Sequence, residues 1–250
     1  MKSQSKQRKP RSVGLPPTED AHAFTRLELA AVLAVLGLIA LLALPALANQ
    51  RERSARVLCV NNLRLAGQAL QQWGTEHGGR LPLRTPASEL GTMGHPLANN
   101  PWFQWCWISN ELRTPKILAC PSDAQKTAAS EWSLSAAGGF LNANFQNRAV
   151  SYLIGCDVLP ESPDGLVAGD RNVRFNAGFG NCSAGITGVP GLRTGPIGSF
   201  GIGDGLHVEA GNYLFKDGRV EELSSEAFGA RWLETTGAHD DNGVAHYLVP

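Results

Sequence analysis

The chain has 250 residues, room for one domain or two small ones. Lysine and arginine number 22, as do aspartate and glutamate, so the formal charge is zero. That excludes a broad non-specific nucleic-acid surface, which needs an excess of cations. The balance is uneven along the chain: Lys2, Lys6, Arg8, Lys9 and Arg11 against Glu19 and Asp20 give residues 1–23 a charge of +3, and the remainder carries −3. From Leu29 to Ala48 the sequence reads LAAVLAVLGLIALLALPALA, without one charged residue. As a helix this run spans about 30 Å, the thickness of a bilayer core. Core helices of soluble proteins seldom stay apolar for so long, and a secretory signal has a shorter apolar region. Ala46 and Ala48 do imitate the small residues of a signal cleavage site. The basic leader orients the span with its N-terminus in the cytoplasm, against the weaker pull of Arg51, Arg53 and Arg56 on the far side. Glu28 stands at the cytoplasmic end of the apolar run, where a carboxylate is costly without a partner and therefore marks a functional position.

A basic leader, then Phe24-Thr25-x-x-Glu28, then a long apolar helix from Leu29 resembles the type IV pilin-like family, which includes the pseudopilins of type II secretion. Pro45 falls where many pilins carry a helix-bending proline. The resemblance implies a leader of residues 1–23, cut by a prepilin peptidase between Ala23 and Phe24, and N-methylation of the new Phe24 amine. Ala23 replaces the family's usual glycine, and Arg26 stands where the pattern is usually apolar. It also implies that Glu28 pairs with the Phe24 amine of a neighbouring subunit when a filament assembles. A buried carboxylate tolerates lipid when such a cation neutralises it.

Residues 24–48 are thus read as the membrane helix and residues 49–79 as its amphipathic continuation. Val60, Leu63, Gly67, Leu70 and Trp73 recur every three or four residues and define one buried face. Gly78-Gly79 predicts the helix end. Cys59, Asn62-Leu63, Gly67, Ala69-Leu70 and Trp73 resemble a segment common in one bacterial subgroup of pilin-like proteins.

Residues 80–250 are predicted to form the globular head. Its first part reads as turns joined by short segments, with a short helix over Ser109 to Leu112. Trp102, Phe103, Trp105 and Trp107 offer either a ligand platform or a core, and core packing is the commoner use of such residues. Strands are predicted over Val150–Cys156 and Gly165–Ala168, with a turn at Pro163-Asp164-Gly165. Residues 176–206, rich in glycine, read as a long surface loop. A hairpin follows: Gly211–Lys216, an Asp217-Gly218 turn with positive φ, and Arg219–Leu223. Tyr213 and Phe215 should share one face, with Leu214 on the other. A short helix near Ser225–Glu234 and a polar tail complete the chain. His207, nine residues and Asp217-Gly218 resemble the H-x9-DG signature of the same subgroup, and Cys120-Pro-Ser-Asp123 resembles another of its segments.

The resemblance also raises calcium, which some major pseudopilins hold in a C-terminal loop. Asp164, Asp170, Asp204, Asp240 and Asp241 are the candidate ligands, although no dense Asp-x-Asp-x-Asp array is present. His239, Asp240, Asp241 and His246 match no zinc spacing and read as a solvated tail. No G-x-S-x-G or H-E-x-x-H pattern calls for an enzyme. Of five cysteines, Cys59 is expected to stay free; Cys106, Cys120, Cys156 and Cys182 allow three pairings. Cys106–Cys120 is preferred because it closes a short loop.

The sequence therefore predicts an α+β, pilin-like protein: a long N-terminal, partly transmembrane helix packed on a small antiparallel sheet. Its expected role is a non-enzymatic subunit of a type II secretion pseudopilus or type IV pilus-like filament. The expected partners are prepilin peptidase, other pilin-like subunits and the inner membrane, with no nucleic acid and no cofactor beyond the calcium candidates. The head would lie in the periplasm or outside the cell. The alternative is a single-pass, membrane-anchored binding protein that forms no filament.

Overall fold

Apolar and small residues at helical spacing, bounded by Gly78 and Gly79, fold as one helix, α1, over Arg26–Glu76. Both glycines take positive φ, +65° and +77°, and Gly79 N–H donates to Gly74 O at 2.8 Å, which closes the last turn. The structure is a computed structural model; it describes residues 25–156, 158–175, 192–196, 200–203, 206–207, 210–234 and 244–250. The chain divides into two units, Met1–Ala48 and Asn49–Pro250.

In the first unit, Arg26–Leu44 is a helix of 19 residues with mean hydropathy 2.7, and none of it is buried. It is long and apolar enough to cross a membrane.

In the second unit, the expected face of α1 is the buried one. Cys59, Leu63, Ala66, Gly67, Ala69, Leu70 and Trp73 lie inside, and Val60 sits at the edge. Two further helices follow, α2 (Pro101–Trp107) and α3 (Ser109–Leu112). α3 matches the prediction, whereas α2 replaces predicted turns. Its start signal was a proline at the first helical position, but seven residues are too few to show a period. Trp105 and Phe103 are buried, and Trp102 and Trp107 pack against the same core. The aromatic cluster is therefore core rather than an open platform.

The strands are β1 (Tyr152–Gly155), β2 (Leu166–Asp170), β3 (Val173–Phe175), β4 (Leu192–Pro196), β5 (Phe200–Ile202), β6 (Ala210–Phe215), β7 (Val220–Ser224) and β8 (Val244–Leu248). Helix α4 occupies Ser225–Glu234 as predicted. Six strands form one antiparallel sheet in the order β4-β8-β1-β2-β6-β7, and β3 pairs with β5 separately.

The main sheet is buried on both faces. Tyr152, Ile154, Val167 and Leu214 join the core under α1. Leu153, Leu166, Tyr213, Phe215 and Tyr247 join a second core with Phe228 of α4. The predicted division of Leu214 from Tyr213 and Phe215 therefore holds.

Three expectations fail. Residues 176–206 are not all loop, because β4 and β5 lie within them. The polar tail ends in β8, a central strand whose His246, Tyr247 and Leu248 are buried between β4 and β1. The hairpin turn has three residues, not two. Phe215 N–H donates to Arg219 O and Gly218 N–H to Phe215 O, both at 2.9 Å. Gly218 alone takes positive φ, +90°, as in a turn closed by a bulge.

Close approach explains Gly67. A Cβ there would lie 2.8 Å from Leu214 Cδ1 on the facing strand β6. Replacing Gly67 by leucine should destabilise the protein by about 1–3 kcal/mol, the usual range for an overfilled core, despite better helix propensity. Urea unfolding followed by tryptophan fluorescence measures it, and an unchanged midpoint would refute the close contact.

Candidate functional site

Two places concentrate the predicted site residues. The first is the head of α1. Thr25 N–H and Oγ1–H both donate to Glu28 Oε2, at 2.8 and 2.9 Å, and Glu28 N–H donates back to Thr25 Oγ1 at 3.2 Å. This is a capping box, which satisfies backbone donors that a helix start leaves open. Thr-x-x-Glu before an apolar run is its sequence signature, so one pattern serves both the cap and the family resemblance. Glu28 therefore has a partner within its own chain. Ala23 and Phe24, the expected processing and pairing residues, lie outside the described residues.

The second place is a buried junction in the head, where four distant segments converge. Cys59 comes from α1, Cys120 from the turn after the 3-10 helix Pro115–Leu118, Asp170 from the end of β2, and His207 from the approach to β6. Cys59 and Cys120 form a disulfide with a Cα separation of 5.3 Å. This overturns the expected Cys106–Cys120 pair and the free Cys59. Cys106 is a half-buried free thiol on α2, Cys156 is buried after β1, and Cys182 lies outside the described residues. Proximity in sequence favoured the short loop, but the buried face of α1 sets Cys59 against Cys120.

His207 Nε2 lies 3.4 Å from Asp170 Oδ2 and 3.8 Å from Cys120 Sγ. Asp170 is wholly buried. Its Oδ2 accepts from the backbone N–H of Asn212 at 2.7 Å and from Asn212 Nδ2 at 2.9 Å. Burial pushes its carboxyl up to about 7, against the pull of the Asn212 bonds. Burial, then the nearby Arg56, lowers the pKa of His207. Both changes favour neutral forms, as expected where water is excluded. Among the described residues, Asp170 Oδ1 and His207 Nδ1 have no hydrogen-bond partner.

The H-x9-DG residues do not meet. His207 stands before β6, while Asp217 and Gly218 form the turn after it, so the length of that strand separates them. Asp217 Oδ1 accepts from Arg219 N–H at 3.0 Å, which fixes the turn. The Arg219 guanidinium sits among Asp164, Asp217 and Glu221 and covers the Phe215 ring at 4.3 Å.

The two described calcium candidates stand apart as well. Asp164 pairs with Arg219 before β2, and Asp170 is buried at the other end of that strand. The two share no coordination shell. Asp204, Asp240 and Asp241 lie outside the described residues, as does His239.

The sequence marks His207 only as the first residue of H-x9-DG; its acidic partner is Asp170. The Asp170–Asn212 contact follows from the antiparallel register of β2 and β6, in which Gly169 faces Tyr213, and no local motif announces it. No protein-family model, curated protein or solved structure matches this chain.

Proposed function

We propose that this protein is a pilin-like membrane subunit. It is held in the inner membrane by the first half of α1, carries its head in the periplasm or outside the cell, and assembles side by side with similar subunits. The observation that supports this reading best is the unburied helix Arg26–Leu44. Its exposed face includes Leu33, Leu36, Ile39 and Leu42, each more than half accessible. Such a surface is stable only against lipid or against other apolar helices. The second half of α1, packed on an antiparallel sheet, suits a subunit whose head stays ordered while its anchor changes neighbours.

On this reading Glu28 has two roles, as the reciprocal cap of Thr25 and as the partner of a neighbouring Phe24 amine. Glu28→Gln separates them, because glutamine still serves a capping box but carries no charge. The variant should insert in the membrane as the wild type does. Removing one partner of a dehydrated ion pair costs about 3–5 kcal/mol, so its incorporation into filaments should fall more than about a hundredfold. Membrane fractionation and recovery of sheared filaments measure the two steps. Normal incorporation of the variant would leave Glu28 a cap alone. Mass spectrometry of the mature N-terminus tests the processing: methylated Phe24 supports the proposal, and a chain cut after Ala48 refutes it.

A further inference from the structure

Cys59 Sγ, Cys120 Sγ and a ring nitrogen of His207 all lie within 4.8 Å of one another and all three residues are buried. A disulfide alone needs no imidazole beside it, and an imidazole there needs no buried carboxylate. Their coincidence points to a second state of the junction. We propose that the Cys59–Cys120 disulfide, once reduced, becomes a zinc site, with both thiolates, His207 and Asp170 as its four ligands.

The distances fit that ion. Tetrahedral zinc with bonds of about 2.0–2.2 Å to nitrogen and oxygen sets those two ligands about 3.4 Å apart. His207 Nε2 and Asp170 Oδ2 stand 3.4 Å apart. With a zinc–sulfur bond of about 2.3 Å, nitrogen and sulfur fall about 3.6 Å apart. His207 Nε2 and Cys120 Sγ stand 3.8 Å apart. The two sulfurs must separate to about 3.8 Å, which breaking their bond permits, and the Asp170 carboxylate, which stands outside the cluster of Cys59, Cys120 and His207, must draw in on them. The surroundings also fit. Asn212 already orients the Asp170 carboxylate through two donated bonds, the kind of support that metal ligands receive.

The chemistry balances with a dithiol as reductant. Its two electrons cleave the sulfur–sulfur bond, it closes to its own disulfide, and its two protons pass to Cys59 and Cys120. Zinc then displaces one proton from each cysteine, and the carboxyl proton of Asp170 where it is held, and releases them to solvent. A cleft of about 360 Å³, lined by Leu58, Asn62, Lys116, Cys120 and Asp123, opens on Cys120 and gives the reductant a route. The head would thus keep one clasp between α1 and the turn at Cys120 in either redox state, covalent when oxidised and metallic when reduced.

The test uses the full chain in detergent, reduced with dithiothreitol, desalted without oxygen and titrated with cobalt(II) as a spectroscopic substitute for zinc. The expected result is one cobalt per chain, with the visible bands of a tetrahedral site and a thiolate-to-cobalt charge-transfer band, displaced by zinc. The oxidised chain should give neither band. His207→Gln, which keeps the disulfide and can be checked for native near-ultraviolet circular dichroism before reduction, should bind cobalt at least about tenfold more weakly. Asp170→Asn should do the same. The proposal is overturned if the reduced chain takes no cobalt, or if Cys59→Ala/Cys120→Ala gives the same bands, since other thiols would then be the ligands. It is also overturned if His207→Gln binds as tightly as the wild type. A reduced chain that loses its near-ultraviolet signal and does not recover it with zinc overturns it too.

Discussion

Replacing Cys59 and Cys120 together by alanine should lower the unfolding free energy of the head by about 4 kcal/mol in metal-free buffer. The estimate rests on the loop they close. The two residues are 61 apart in sequence, and cross-linking a loop of that size removes much of the freedom of the unfolded chain. Within the loop lie the end of α1 (residues 60–76), α2, α3 and several 3-10 turns, but no strand. The segment is therefore held to the rest of the head by side-chain packing, a few hydrogen bonds and this one covalent tie. Urea unfolding, read from the fluorescence of buried Trp73 and Trp105, measures the loss. A dithiol should destabilise the wild type by a similar amount and leave the double variant unchanged. That comparison separates the cross-link from any packing change caused by alanine. A difference below about 1 kcal/mol would mean that the unfolded chain is already compact around the loop.

The disulfide also shows where the sequence was legible and where it was not. The buried face of α1 could be read because its spacing repeats over several turns, and Gly78 and Gly79 mark its end. The hairpin β6–β7 could be read because alternation and a glycine turn are local signals. β8 could not. It has five residues, follows a polar stretch, and is buried only because β4 and β1 flank it. β4 includes Gly195 and Pro196, which argue against a strand unless a partner supplies the ladder. The candidate site divides in the same way. Glu28 and His207 stand out in the sequence, the one as a carboxylate ahead of an apolar helix and the other as the first residue of H-x9-DG. The identities of those partners, Thr25 for Glu28 and Asp170 with Cys120 for His207, depend on a helix cap and on long-range strand register. Thr-x-x-Glu spacing announces the first of these; spacing alone does not carry the second.

The second large effect is expected at the Asp123–Arg171 pair, which joins the turn after Cys120 to the end of β2. Arg171 donates from Nε to Asp123 Oδ2 at 2.7 Å and from Nη2 to Asp123 Oδ1 at 2.9 Å, a two-pronged contact. The Asp123 side chain has no exposure, whereas Arg171 keeps 17%. The two halves of the pair are therefore unequal. Arg171→Met leaves a buried carboxylate without its cation and should cost about 3–5 kcal/mol. Asp123→Asn leaves a guanidinium that still reaches water and Gln125, and should cost about 1–3 kcal/mol. Acid should expose the same pair. Burial pushes Asp123 upward, but the Arg171 and Ser151 bonds outweigh it and hold the carboxyl below its ordinary value of 3.8. The unfolded chain then binds a proton before the folded one does. The pair's contribution is full above pH 3.8 and is lost as pH falls through the lowered folded value. Urea midpoints of the wild type and Asp123→Asn should therefore differ most near neutrality and converge in acid. A gap that stays constant with pH, or an Arg171→Met variant no less stable than Asp123→Asn, would show that the carboxylate does not depend on this cation.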